Sequence, residues 1–210
     1  MMKAMMLQFA TVALAVGTLA GCAEDSGTET AGEPATAVAS TGGRNCVESA
    51  DHEESCYATF TEAVAVATGG AIKDAPIDAR LAVDDPLFTE RLNSLAEQAK
   101  SKPSASAQLT ALSTVIVGIA WDDANYGGDT YISYYSSGCD GNPATYDTGV
   151  VGLGSMNDRI SSFRSYSGCQ SVYFEDVWFH GAATNGGAPI TDMRWVGKAM
   201  NDQASSVAFY

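Results

Sequence analysis

The chain has 210 residues and a formal net charge of −14, with 25 acidic side chains against 11 basic ones. Such an excess of negative charge repels phosphate groups, which argues against nucleic acid and anionic lipid headgroups as partners. The length and an apolar fraction of 46% are sufficient for one hydrophobic core with a small additional segment.

Residues 1–21 have the layout of a bacterial secretory signal, with Lys3 at the positive end and an apolar stretch after it. The stretch ends in Leu-Ala-Gly followed by Cys22, which resembles a lipobox, the site where a bacterial lipoprotein receives its lipid. The sequence therefore predicts an extracytoplasmic protein that is anchored to the bacterial cell membrane through lipid on Cys22 and contacts the membrane only there. The alternative is ordinary secretion without the lipid.

The cysteine count predicts disulfides. Four cysteines remain after Cys22, and an even number in an oxidising compartment favours two bridges. Three pairings are possible, and we predict the one that keeps each bridge local, Cys46–Cys56 and Cys139–Cys169. No CxxC occurs, so a zinc site is not expected, and we interpret His52 and His180 as surface or loop residues.

Residues 22–45 lack aromatic side chains and are rich in small and polar ones, which predicts a flexible tether. Residues 46–102 are predicted to form a small helical segment. Thr59 and Glu62 make a capping box before an apolar stretch that ends at a glycine pair. A second helix is predicted with Asp85 as its N-cap and Pro86 at its first position. The apolar face of that helix carries Phe88, Leu92, Leu95 and Ala99.

Residues 103–113 are interpreted as a linker, and residues 114–210 as a compact all-β domain. The apolar period changes to two at the start of this domain, which predicts a strand. Further short apolar stretches alternate with glycine, serine, asparagine and aspartate, as is typical of closely spaced strands and turns. One face of the first strand is predicted to carry Val115, Val117, Ile119 and Trp121.

The phrase MNDRISSF, residues 156–163, returns as MNDQASSV, residues 200–207. Before each copy stand two aromatic residues with four residues between them, then one residue and a glycine. These are WDDANYGG, with Trp121 and Tyr126, and FEDVWFHG, with Phe174 and Phe179. Such an aromatic pair can stack across a sharp turn. Aspartate, serine and turn carbonyls supply the oxygen ligands that calcium needs, and one copy supplies too few of them. A site assembled from both copies is therefore predicted.

Residues 114–210 resemble the microbial βγ-crystallin domain, whose two Greek keys each have this aromatic corner and an (N/D)(N/D)xx(S/T)S calcium motif. The resemblance implies an all-β double Greek-key sandwich at the C-terminus, preceded by the small α-helical segment. It also implies two crossed Ca²⁺ sites, each with the aspartate of one copy and the serine of the other. The implied ligands are the side chains of Asp158, Ser161, Asp202 and Ser205, the backbone carbonyls of Arg159 and Gln203, and carbonyls near Asp122 and Glu175.

Two departures from the family pattern are Trp121, where tyrosine or phenylalanine is usual, and the long loop that carries Cys139. A further alternative is that the repeated phrases are only turns without useful affinity for calcium.

Two functions remain open on the sequence. The first is a calcium-binding, membrane-anchored module without catalysis. The second is inhibition of a secreted metalloproteinase, because inhibitors of the Streptomyces type are related in fold and YYSSGCDGNPATY, held at Cys139, could present a rigid loop. An enzyme is not expected, because no G-x-S-x-G, HExxH or phosphate loop occurs. The acidic pairs Asp122-Asp123 and Glu175-Asp176 fall at the aromatic corners, where a structural or calcium-linked role is expected.

Overall fold

The computed structural model describes residues 43–49, 51–101, 114–184, 191–195 and 200–210. The predicted signal, Cys22, most of the tether and the whole linker lie outside these residues, so the predictions for them stay predictions. Within the described residues, no helix combines the length and the apolar character that crossing a bilayer requires.

Nine strands and three helices lie in the described part of the chain. The strands are β1 (Asn45–Glu48), β2 (Glu54–Tyr57), β3 (Val115–Trp121), β4 (Thr130–Tyr135), β5 (Thr148–Val150), β6 (Ser162–Ser165), β7 (Ser171–Asp176), β8 (His180–Ala183) and β9 (Ser206–Phe209). The helices are α1 (Phe60–Ala67), α2 (Ala79–Val83) and α3 (Pro86–Ser101). Short 3₁₀ turns lie at Ala124–Tyr126, Gly154–Met156, Val177–Phe179 and Met193–Trp195.

The strands form two sheets. The first has the order β2-β1-β4-β3-β6, and the second has the order β5-β9-β7-β8. Strand β5 comes from the first sequence repeat but pairs with β9 of the second, an exchange that agrees with Greek-key connectivity. The matching stretch of the second repeat, 185–190, lies outside the described residues, so the complete double Greek key stays a prediction.

A hairpin occupies the start of the segment that was expected to be helical. Strands β1 and β2 pair antiparallel, and the predicted disulfide joins Cys46 to Cys56, which lies directly opposite. Strand β1 also pairs in parallel with β4, so the hairpin extends the first sheet. The prediction was wrong here because four-residue strands that carry Glu48 and Glu54 show too little apolar pattern to be recognised.

The capping signals are confirmed for two helices. The Thr59 hydroxyl accepts a hydrogen bond of 3.2 Å from the amide of Glu62 at the start of α1. The Asp85 carboxylate accepts one of 2.9 Å from the amide of Leu87 in the first turn of α3. The helices pack against the first sheet in a cluster that includes Phe60, Val83, Phe88, Leu92, Ile119 and Ile132.

A β-bulge corrects the predicted face of β3. The register between β3 and β4 shifts between Ile116 and Gly118. Val115 and Val117 therefore join the core between the sheets, whereas Ile119 and Trp121 join the core against the helices. Because both faces of this sheet are covered, every residue of β3 is buried, and alternation alone could not locate the bulge.

The second predicted disulfide, Cys139–Cys169, is also present. It holds the long loop between β4 and β5 against the turn that precedes β7. Near the end of this loop, the ring of Tyr146 lies 6.2 Å from that of Phe174 and 6.1 Å from that of Phe179. The loop thus brings an aromatic side chain against those of the second sheet.

Candidate metal centre

The two copies of the repeated phrase form turns of the same conformation. Asp158 has a φ of 56° and Asp202 a φ of 54°, a left-handed conformation that aspartate adopts more readily than most residues. The side-chain amide of Asn157 donates to Asp158 Oδ2 at 2.7 Å, and that of Asn201 donates to Asp202 Oδ2 at 2.6 Å. Both aspartates are exposed, and each accepts the side-chain amide of the preceding asparagine through its Oδ2 atom.

The two turns are bound to each other. Ser161 Oγ donates to Asp202 Oδ1 at 2.7 Å, and Ser205 Oγ lies 3.5 Å from Asp158 Oδ1. The backbone follows the same exchange, because the Asp158 amide donates to the carbonyl of Ala204 and the Asp202 amide to that of Ile160, at 2.9 and 3.1 Å. The structure thus brings the four predicted side-chain ligands together as two crossed pairs.

The carbonyls of Arg159 and Gln203 fit the ligand role that the sequence predicts for them. Both residues lie in the turns directly after the aspartates, and no hydrogen bond between described residues ends on either carbonyl. The carbonyls of Ser161 and Ser205, in contrast, accept the amides of Met193 and Leu153 at 2.8 and 2.9 Å. Among the described residues, the carbonyls of Arg159 and Gln203, rather than those of the serines, are left available to a cation.

The side chains of the corner acids are engaged in structural contacts. Asp122 Oδ1 accepts the amide of Asp129 at 2.6 Å, and its Oδ2 lies 2.5 Å from Arg159 Nη2. Glu175 Oε2 accepts the amide of Ala182 at 3.1 Å. If Asp122 and Glu175 contribute to metal sites, they do so through the main chain, as the resemblance implies.

An ion-pair network stands beside the first copy. Arg159 also contacts Asp129 Oδ2 at 2.9 Å, and Arg44 reaches the same carboxylate at 3.0 Å. Burial alone would raise the pKa of Asp129, but hydrogen bonds from both arginines outweigh it and hold this pKa below its ordinary value. Burial raises the pKa of Asp122 despite its own hydrogen bonds. The Arg159 guanidinium is thus paired with two carboxylates beside the turn.

The last serine of each phrase has a structural role that the sequence did not reveal. Ser162 Oγ donates to the carbonyl of Asp123 at 2.7 Å and accepts the amide of Tyr126 at 3.1 Å. In the second copy, Ser206 Oγ likewise donates to the carbonyl of Asp176 at 2.6 Å and accepts the amide of Phe179 at 3.1 Å. Both serines are fully buried, and each fixes an aromatic corner whose backbone enters the left-handed region.

A second cluster of metal-ligating side chains is not a metal site. Cys46, Glu54 and Cys56 place three potential ligand atoms within 4.8 Å of one another. The two sulfur atoms are joined in a disulfide, so no thiolate is available, and a metal ligand from cysteine must be a thiolate.

The histidines are both exposed, as predicted, though His180 lies in β8 rather than in a loop. His52, in the β1–β2 turn, has its Nδ1 2.9 Å from Glu48 Oε1.

The donor set fits a hard divalent cation. Each crossed pair offers a carboxylate oxygen and a hydroxyl oxygen, and the free carbonyls add further oxygen atoms. Calcium takes six to eight oxygen ligands and accepts water among them, whereas zinc, copper and nickel favour imidazole or sulfur. The exposed carboxylates leave room for water.

No family model matches the chain, and no curated protein matches it. Among solved structures, a βγ-crystallin domain from Flavobacterium johnsoniae is 25% identical, with 45% of this chain and 93% of that one covered, at a TM-score of 0.33. A βγ-crystallin domain from Clostridium beijerinckii is 23% identical, with 45% and 97% covered, at 0.32. A βγ-crystallin from Ciona intestinalis is 25% identical, with 43% and 94% covered, at 0.32. The similarity extends over less than half of this chain.

Proposed function

We propose that the protein is a calcium-binding module of the βγ-crystallin type, held outside the cytoplasm by lipid on Cys22, and that it has no catalytic activity. The observation that carries the proposal is the reciprocal pairing of Ser161 with Asp202 and of Ser205 with Asp158. Non-catalytic function is supported by the corner acids, because Asp122 and Glu175 are committed to hydrogen bonds that hold their own turns.

Calcium in these sites acts as a clip between the two sequence repeats. Each crossed pair joins residues that are more than 40 positions apart, so an ion bound there resists separation of the turns. A ligand that binds only the folded chain stabilises it by about 2.7 kcal/mol at one hundred times its dissociation constant. Extracellular calcium modules commonly have dissociation constants of about 10⁻⁴–10⁻³ M, which suits a structural ion.

Calorimetry on the chain from residue 23 onward, stripped of metal, tests the proposal. We expect two calcium-binding events, and we expect Asp158→Ala and Asp202→Ala each to remove one of them or weaken it about tenfold or more. Asp51→Ala is the matched control, because Asp51 is an exposed aspartate in the β1–β2 turn. No heat from calcium, together with no rise in melting temperature, would show that the phrases are turns and nothing more.

The location has its own test. Two disulfides are typical of an oxidising compartment, which supports the extracytoplasmic part of the proposal. Bacterial cells that express the full chain should carry the protein in the membrane fraction, and Cys22→Ala should release it to the soluble extracytoplasmic fraction. Membrane association that survives Cys22→Ala would contradict lipid anchoring.

Inhibition of a secreted protease is the second candidate function, and one observation favours it. Residues 140–147 are exposed, yet the loop is held at Cys139 by the disulfide and closed by the Asp140 amide, which donates to Asp147 Oδ2 at 3.0 Å. A rigid, exposed loop is what tight inhibition requires. Assays against secreted metalloproteinases, with the chain and with an Asn142→Ala and Pro143→Ala double variant, test this function independently of calcium.

A further inference from the structure

A cavity of about 310 Å³ lies outside the candidate metal centre, where the β1–β2 hairpin meets the second aromatic corner. Its volume is at the lower end of the range for small-molecule pockets. Its walls combine acidic and imidazole groups with apolar ones: Glu48, His52, Glu54, Val151, Val177 and Trp178. The described residues that line it include no lysine or arginine.

Two carboxylates face each other at this cavity without a fixed cation. Glu48 and Glu54 are directly opposite in the antiparallel register of the hairpin, a position where like charges destabilise a sheet. The Glu48 side chain is only 4% exposed. Its Oε1 contacts His52, while no hydrogen bond between described residues ends on its Oε2. A carboxylate on a side chain that is almost wholly buried is costly to keep charged unless it is paired, and the cavity that Glu48 lines is where a further partner could enter.

The hairpin holds this arrangement in place. Glu54 accepts hydrogen bonds from both the amide and the hydroxyl of Ser155, the first at 3.0 Å. Burial raises the pKa of Glu48, the hydrogen bond and charge of His52 lower it, and the charge of Glu54 raises it again. A positively charged ligand would relieve both the burial cost and the repulsion.

The apolar wall is unusual for a surface that serves only the fold. Trp178 is 65% exposed and Val177 46% exposed. Trp178 has a φ of 61°, a conformation that is costly for a bulky residue, and its amide donates to the carbonyl of Val151 at 2.9 Å. The equivalent residue of the first corner is Asn125, with a φ of 59° and an amide that donates to Thr191. The turn alone therefore does not require an indole.

We propose that this cavity binds an alkylammonium group, with the ammonium at Glu48 and Glu54 and its aliphatic stem against Val177 and the face of Trp178. Carboxylates and an indole together are the groups that recognise organic cations. A bare metal ion has no use for the apolar wall, and His52 already uses Nδ1 toward Glu48. The ammonium can come from a free diamine or from a lysine side chain of another protein, which present the same chemistry. The inference does not depend on calcium binding.

The test is calorimetric titration of the chain from residue 23 onward with cadaverine and, separately, with Nα-acetyl-lysine amide. Each titration is run in chelator and again in excess calcium, so that failure of the calcium sites cannot mask the result. We expect Glu48→Gln to weaken binding about tenfold or more. We expect Trp178→Asn, which places the residue of the first corner in the second, to weaken it several-fold without loss of the turn. Glu97→Gln is the control, because Glu97 is a 75% exposed carboxylate on α3.

Binding of both amines would support a lysine side chain as the ligand, and binding of cadaverine alone would support a free amine. Melting temperatures of the variants show whether each one folds, and n-pentanol, which lacks the charge, should not bind. The proposal is wrong if neither amine binds under either condition, or if binding is unchanged in both folded variants.

Discussion

The hydroxyl of Ser161 lies 2.7 Å from the carboxylate of Asp202, although 41 residues separate them in the sequence. Ser205 and Asp158 form the equivalent pair at 3.5 Å, and the backbone amide of each aspartate donates to the other copy. Neither copy of the repeated phrase can therefore assemble its donor set alone. On the calcium proposal, this reciprocity is the reason that the phrase occurs twice, and it makes the proposal testable by stoichiometry.

We expect crossed double variants to lose one calcium site and same-copy double variants to lose both. Ser161→Ala with Asp202→Ala damages a single pair, so one binding event should remain in calorimetry. Ser161→Ala with Asp158→Ala damages both pairs, so none should remain. The two residues of a crossed pair should also be coupled by about 0.5–3 kcal/mol in calcium affinity. One retained event in the same-copy variant would mean that each site is built within its own copy.

We expect adjacent serines of one phrase to separate stability from calcium binding. Ser206→Ala removes a buried hydroxyl and leaves the Phe179 amide and the Asp176 carbonyl without their partner, which should cost about 1–3 kcal/mol of unfolding free energy. Ser205→Ala should weaken calcium binding with a smaller effect on the calcium-free protein. Urea unfolding in chelator measures the first effect, and calorimetry the second.

The same contrast is expected in the first copy, with Ser162→Ala and Ser161→Ala, and this provides an internal control. Equal losses of stability from the two serines of a copy would contradict the division of roles. It would mean that the hydroxyls of Ser161 and Ser205, which contact the aspartates, also support the fold.

The crossed pairs were implied by the resemblance to the βγ-crystallin domain, whereas the repeat alone predicted only a site assembled from both copies. It was not sufficient to separate the two serines, since a hydroxyl bound to a metal and one bound to backbone look alike in sequence. The position of Ser162 under the first aromatic corner depends on how β6 and that corner pack, which is a tertiary property.

Other features were hidden for local reasons. The hairpin at the start of the helical segment was missed because its stability comes from the Cys46–Cys56 bridge and from pairing with β4, not from apolar alternation. The acid Glu48 lies buried in β1, opposite to what its charge suggests. The bulge in β3 exchanged the faces of Ile119 and Trp121 because burial on both sides erases the pattern that would reveal it.

We expect the two disulfides to contribute unequally to stability. The Cys139–Cys169 bridge closes 30 residues of sequence and the Cys46–Cys56 bridge closes 10, and constraint of the unfolded chain grows with loop length. On that account, replacing Cys139 and Cys169 by alanine lowers the unfolding free energy by about 3–4 kcal/mol. Replacing Cys46 and Cys56 by alanine lowers it by about 2–3 kcal/mol. Urea unfolding of the two alanine-pair variants under oxidising conditions measures the costs.

A larger loss from the shorter loop would contradict the loop-length explanation. It would indicate instead that the Cys46–Cys56 bridge secures the hairpin through native packing, since Cys46 is buried in β1.

The buried acid of the hairpin should leave a signature in the pH dependence of stability. Burial raises the pKa of Glu48 above its ordinary value of 4.5, so the folded chain holds this proton more tightly than the unfolded chain. Stability is therefore greatest below pH 4.5 for this one group and falls as the pH rises through the raised pKa. Relative to Glu48→Gln, the parent should lose unfolding free energy across that window.

The charged groups that face Glu48 are His52 and Glu54. Tyr135 is close enough to sense its charge, but its pKa of about 12 keeps it neutral throughout. Unfolding free energies measured from pH 4 to pH 7 for the parent, Glu48→Gln and the exposed control Glu97→Gln isolate the effect, because other carboxylates cancel in the differences. A parent that gains stability relative to Glu48→Gln as the pH rises would mean that the pairing with His52 outweighs burial.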